Sequence, residues 1–263
     1  MDDPRENHFF QIRLAEQAER YEEMVQMFKQ LILKDPKKLT VDQRNLLSVA
    51  YKNVIGVRRA AWRILCSLEA REMDKMKREA SNELEVIAEY KISIEKELDG
   101  ICLEILTLLD ESIIPNDAES EARVFYYKMK GDYLRYKAEY KNGAEKQAIA
   151  EEALTSYTSA NELSVDLVST NPIKLGLALN FSVFYYEIMN EPKDACKLAN
   201  KAFNDAISDL NSLSENEYKD AALIMQLLRD NLTLWTADQP QDEPVEPVGP
   251  QDDDDDDDEP KPE

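Results

Sequence analysis

The stretch QRNLLSVAYKNVIGVRRAAWRILCSL (Gln43–Leu68) holds no Asp or Glu in a chain of net charge −22. Its apolar residues recur at helical rather than alternating spacing, which points to one long amphipathic helix over about residues 41–70, roughly 45 Å at 1.5 Å per residue. Arg44, Lys52, Arg58, Arg59 and Arg63 are its cations. Lys52, Arg59 and Arg63 stand at i, i+7 and i+11, within roughly 40° of one another on a helix. Like charges on one face repel, and no carboxylate in the stretch relieves them. Two readings follow. The counter-charge arrives on a ligand, for which a compact multivalent anion such as a phosphate fits best, or the arginines pair with carboxylates of a packed neighbouring helix.

The same helical periodicity extends outward in both directions. Leu14 and Ala18, then Tyr21, Met24, Val25 and Phe28, then Leu98, Ile101, Ile105 and Leu108 each fit an amphipathic helix, and no segment alternates as a strand does. Thr40-Val-Asp-Gln43 and Ser214-Glu-Asn-Glu217 match the capping box, and Asn171-Pro172 puts a capping residue before a proline at the first helical position. Pro115, Pro172 and Pro192 mark boundaries, and Asn142-Gly143 reads as a helix–helix turn. The expectation is all-α, about nine antiparallel helices with long members near 41–70, 80–110 and 119–140. The helical domain covers 1–236. A tail, 237–263, is rich in Pro, Gln, Asp and Glu and reads as disordered. The 26 residues from Asp238 hold thirteen acids against one base, so twelve of the 22 net negative charges lie there.

Such a charge argues against nucleic acid as a partner, and the absence of a long apolar run argues against membrane insertion. The opening MDDPRENHFF reads as neither signal nor transit peptide, so a cytoplasmic protein with access to the nucleus is expected. Cys66, Cys102 and Cys196 read as reduced core thiols. Catalysis finds little to work with. The single histidine, His8, reads as a plain surface residue, and there is no Gly-rich phosphate loop, HExxH, CxxC or G-x-S-x-G. No catalytic residue, metal or cofactor is expected.

Two further acid-free runs accompany the first. Arg123–Gly131 carries Lys128 and Lys130 and leads into Asp132-Tyr-Leu-Arg135-Tyr136, and Leu167–Tyr186 is rich in Leu, Val, Phe and Tyr and carries Asn180. Leu223, Leu227, Asn231 and Trp235 form an i, i+4 ladder. A ladder of this kind serves as core or as a ligand wall, since a side-chain amide can hold a peptide backbone at donor and acceptor.

RNLLSVAYKNVIGVRRAAWRI (Arg44–Ile64), RVFYYKMKGDYLRY (Arg123–Tyr136), KLGLALNFSVFYYEIMN (Lys174–Asn190) and YKDAALIMQLLRDNLTLW (Tyr218–Trp235), with LAEQAERYEEM near the start, closely resemble the 14-3-3 family in order and length. The likeness runs from about Leu14 to Trp235. It implies a cup-shaped subunit with an amphipathic groove, a homodimer or a heterodimer with a paralogue, and phosphorylated client proteins as partners. By that resemblance Lys52, Arg59, Arg135 and Tyr136 hold the phosphate, with Arg63 and Lys128 as supporting cations. Asn180 and Asn231 hold the peptide backbone, Glu187 and Trp235 lie along the same wall, and Leu179, Val183, Leu223, Ile224 and Leu227 form the apolar side. Leu14, Ala18 and Arg20 of one subunit are implied to meet Leu65, Tyr90 and Glu97 of the other, while Ser93 stands where a lysine partner for Glu23 is usual. Ala61 replaces a common serine, Asn171 and Lys174 replace a usual His and Arg, and Glu191-Pro192 replaces Ser-Pro. None of these touches the implied phosphate contacts. The competing reading is an acidic helical scaffold or chaperone-like protein that binds basic partners through its tail.

Overall fold

In a computed structural model, residues 4–76, 82–210 and 213–237 are described. The expected tail, 237–263, lies outside them except for Ala237. The described residues form nine α-helices and no strand: α1 (Pro4–Gln17), α2 (Tyr21–Lys34), α3 (Val41–Met76), α4 (Glu83–Leu108), α5 (Ser120–Tyr140), α6 (Gly143–Leu163), α7 (Pro172–Glu187), α8 (Pro192–Asp209) and α9 (Glu215–Ala237). Helix α4 runs on through a π-turn (Leu109–Ile113) into a 3-10 turn (Ile114–Asn116) that contains Pro115. Helix α3 is longer than its periodicity suggested, 36 residues or about 54 Å.

The start signals act as their chemistry requires. Gln43 N donates to Thr40 Oγ1 at 3.3 Å while Thr40 N donates to Gln43 Oε1 at 3.0 Å, and Ser214 and Glu217 exchange the same pair. Asn171 Oδ1 accepts from Ile173 N at 2.8 Å, with Pro172 opening α7. The Asn142-Gly143 turn joins α5 to α6, and Gly143 adopts φ 56°, which a glycine tolerates without a Cβ penalty.

Consecutive helices pack side by side, and α5·α7 and α7·α9 contacts close the second half. Three apolar clusters follow: α1–α5 around Phe28, Tyr51 and Leu98, then α5–α7 around Tyr157 and Phe184, then α7–α9 around Leu175 and Leu228. Of the residues read from periodicity, Met24, Val25, Phe28, Leu98, Ile105 and Leu108 are buried in them, whereas Leu14 and Ala18 are exposed.

Two readings need correction. His8 is half-buried, not a plain surface side chain, and its Nε2 lies 3.0 Å from the Met27 carbonyl, linking α1 to α2. Of the three thiols only Cys102 is in the core, where burial pushes its pKa up to about 12; Cys66 and Cys196 are half-exposed at the core's edge. Among the described residues no helix is long and apolar enough to cross a membrane, and no group of three or more His, Cys, Asp or Glu could hold a metal ion.

Candidate functional site

The five cations of Gln43–Leu68 separate according to the face each occupies on α3. Arg44 is buried, donates to Glu121 at 2.6 Å and lies over the Phe125 ring, so it serves packing. Arg58 pairs with Glu22 at 2.8 Å and Glu97 at 3.1 Å. Arg59 meets the α5 residue Glu139 through two nitrogens, Nη2 at 2.5 Å and Nε at 3.1 Å, and Arg63 approaches the same carboxylate at 3.4 Å. Pairing with a packed neighbour therefore holds for four of the five. Lys52 differs: it is exposed and, among the described residues, makes no hydrogen bond or ion pair.

Lys52 and Arg59 line a cleft of about 400 Å³ together with α5, α7 and α9. Helix α5 contributes Lys128, Arg135 and Tyr136. Arg135 is only 6% exposed; its Nε donates to Tyr157 Oη at 3.2 Å, and Asp132 and Glu139 flank its guanidinium at 3.5 and 3.8 Å. The Tyr136 ring lies against both arginines, 3.9 Å from the Arg59 guanidinium carbon and 4.6 Å from that of Arg135. Its hydroxyl has no partner among the described residues, and so stays available to a ligand.

The opposite wall is supplied by α7 and α9. Leu179, Asn180 and Val183 of α7 and Leu227 and Asn231 of α9 line the cleft. Asn180 Nδ2 donates to both oxygens of Asp132, at 2.8 and 2.9 Å, whereas Asn231 has no partner among the described residues. One wall is thus cationic and the other apolar, with an amide on each of the two helices that form the apolar side. An anion carried on a partly apolar chain matches both walls.

Not every residue implied by resemblance reaches the cleft. Arg63, Glu187, Leu223, Ile224 and Trp235 lie outside its lining. Trp235 is 3% exposed and stacks on Tyr186 at 4.8 Å, so its ring supports the wall from behind. Leu223 is 67% exposed, and Ile224 packs toward the third cluster. Sequence reasoning missed Ser48, Phe125, Met129, Asp132 and Tyr133. Phe125, Met129 and Tyr133 stand at i, i+4 and i+8 on α5, a spacing that marks a shared face. Among the implied dimer residues, Leu14, Ala18 and Tyr90 are exposed, but Leu65 is 7% exposed and packs into the first cluster. Arg20 pairs with Glu23 in its own chain.

The sequence pattern of the 14-3-3 protein family matches residues 11–236. The chain is 55% identical over 244 residues to 14-3-3 protein epsilon of Drosophila melanogaster, covering 92% of this chain and 91% of that protein. It is 57% identical over 235 residues to the checkpoint signal transducer rad24 of Schizosaccharomyces pombe, covering 89% and 86%, and 54% identical over 241 residues to 14-3-3-like protein C of Glycine max, covering 90% and 91%. Matched along nearly all of its helical length, the chain belongs to the 14-3-3 family.

Proposed function

We propose that this adaptor clamps phosphoserine- or phosphothreonine-bearing segments of client proteins in the α3/α5/α7/α9 cleft. The observation that carries the reading is Lys52, a cation with no ion pair among the described residues, beside the Arg59–Tyr136–Arg135 stack in an acidic protein. A phosphate dianion supplies the missing counter-charge, and each charge-assisted hydrogen bond contributes about 1.5–3 kcal/mol before desolvation. Tyr136 Oη and Lys128 Nζ add donors, and Asn180 and Asn231 engage the flanking backbone. The work is binding, with no turnover, and the client's activity, location or assembly changes through occupancy.

Two subunits pair about a two-fold axis through the exposed Leu14, Ala18 and Tyr90 surfaces, so a client with two sites gains from effective concentration. Sedimentation at micromolar concentration should give the dimer mass; monomer alone refutes the pairing. One peptide measured in phosphorylated and unphosphorylated forms tests the central reading. A clamp prefers the phosphorylated form by orders of magnitude, and equal affinity refutes it.

A further inference from the structure

Asp132 is a buried carboxylate, 7% exposed, one helical turn after Lys128 on α5. Its Oδ1 accepts from Tyr157 Oη at 2.6 Å and Asn180 Nδ2 at 2.8 Å, with Arg135 Nη2 at 3.5 Å. Its Oδ2 accepts from Lys128 Nζ and Asn180 Nδ2, both at 2.9 Å. Every neighbour is a donor, as an ionised carboxylate requires. Burial favours the protonated acid, but Lys128 and Arg135, with the hydrogen bonds from Lys128 and Tyr157, outweigh it and hold this carboxyl below its usual range.

Asn180 is the neighbour whose orientation reaches the cleft. A primary amide has a donor end and an acceptor end, and reversing it here would set Oδ1 against carboxylate oxygens at under 3 Å. Only the Nδ2 end can face Asp132. Oδ1 therefore faces away, without a partner among the described residues, on a side chain that lines the cleft. Asn231 has no such anchor, so its amide turns to suit either a donor or an acceptor.

We infer that Asp132 is a positioning and specificity-determining residue of the cleft: by pinning the Asn180 amide it presents Oδ1 as a fixed acceptor that selects a ligand backbone N–H over a carbonyl. The inference rests on the phosphopeptide reading. It assigns Asp132 a task beyond packing, because a structural carboxylate would serve equally well with Asn180 facing elsewhere.

The experiment uses the full chain and a phosphoserine peptide in which the amides flanking the phosphoserine are replaced by esters one at a time. Each ester removes one N–H and keeps the carbonyl. In the wild type a single position should lose about tenfold in affinity, and that loss should vanish in Asn180→Ala. In Asp132→Asn, where residue 132 offers either amide end and Asn180 can reverse, the loss at that position should shrink to about twofold. If Asp132 were merely structural, its substitution would weaken every peptide by a common factor and leave the ester ratio intact, which overturns the inference. Should Asp132→Asn not fold, NMR on the unliganded wild type carries the test: slowed exchange of the Asn180 Nδ2 protons is expected, and rapid exchange overturns it. Equal binding of phosphorylated and unphosphorylated peptide would defeat the phosphopeptide reading itself and this inference with it. Phosphate-dependent binding with a flat ester scan would defeat only the role of Asp132.

Discussion

Reversing the charge of Lys52 separates a ligand-directed cation from a structural one. Lys52 is exposed and makes no ion pair among the described residues, so Lys52→Glu breaks no internal contact. It converts repulsion toward Arg59, two turns away, into attraction, so stability should stay within about 0.5 kcal/mol of wild type. Binding responds differently. Unit charges 4 Å apart interact by about 1 kcal/mol in bulk water and about 4 kcal/mol at an effective dielectric of 20, and an exposed lysine lies near the lower end. A dianion doubles the term, and reversal replaces an attraction with a repulsion of similar size. Allowing for salt and for retreat of the new glutamate toward Arg59, the loss should be at least about 2.7 kcal/mol, a hundredfold in Kd. Arg59→Glu supplies the contrast, because Arg59 is held by Glu139 and stacked on Tyr136. It should lose binding and about 3 kcal/mol of stability as well, lowering Tm by about 6–12 °C. Phosphopeptide anisotropy and thermal melting on both variants decide the matter. A Lys52→Glu protein that melts early and binds normally would refute the reasoning.

The buried end of the site gives further tests. A Cβ on Gly131 would stand 2.8 Å from the Tyr157 ring, so Gly131→Ala should cost about 1–3 kcal/mol in urea unfolding and weaken phosphopeptide binding as Tyr157 shifts from Asp132. Tyr157→Phe strips one donor from Asp132 and should cost about 1–3 kcal/mol, whereas Tyr126→Phe removes a buried hydroxyl that lies near Asp117 but completes no hydrogen bond among the described residues, and should change stability by less than about 1 kcal/mol. Equal losses from the two phenylalanines would contradict the hydrogen-bond assignment. The pH dependence has a fixed sign. Asp132 has a folded pKa below its unfolded value near 3.9, so its stabilisation is present above that value and lost as pH falls through the folded one. The stability gap between wild type and Asp132→Asn should be flat from about pH 7 to 5 and close below about pH 4; a gap that widens in acid refutes this.

The helices were legible because caps, prolines and apolar spacing are local signals. Thr40–Gln43, Ser214–Glu217 and Asn171–Pro172 act within three residues, and their geometry needs no tertiary information. The cleft positions Lys52, Arg59, Asn180 and Asn231 were reachable from charge spacing and resemblance to a family. The counter-ions were not. Glu139 lies 80 residues from Arg59, and Glu121 lies 77 from Arg44, so pairing depends on how α3 and α5 pack. Nor does the spacing of Leu223, Leu227, Asn231 and Trp235 show that Leu227 and Asn231 line the cleft while Trp235 turns its ring onto Tyr186. Asp132 appeared in the sequence as one acid after a basic run. Its importance comes from the four donors that three helices, α5, α6 and α7, bring to it.

How an acidic chain keeps a cationic cleft follows from two stripes of different composition. On α5, Lys128, Asp132, Arg135 and Glu139 stand at i, i+4, i+7 and i+11, alternating in sign along one face. On α3, Lys52, Arg59 and Arg63 occupy the same spacing with no acid between them. Where the stripes meet, Glu139 serves Arg59 and Arg63 at once and flanks Arg135, while Asp132 serves Lys128 and Arg135. Four cations share these two carboxylates and Lys52 makes a fifth on the same stripes, so the stripes are tied to each other yet carry a surplus of positive charge. The surplus is expressed at Lys52, the one member that makes no ion pair among the described residues. A fully neutralised pair of stripes would be more stable and would have no reason to hold an anion. A pair with no acids would leave Arg135 buried without a partner, at a cost of several kcal/mol. Placing both carboxylates on α5 satisfies the buried guanidinium and leaves Lys52 of α3 to the proposed ligand.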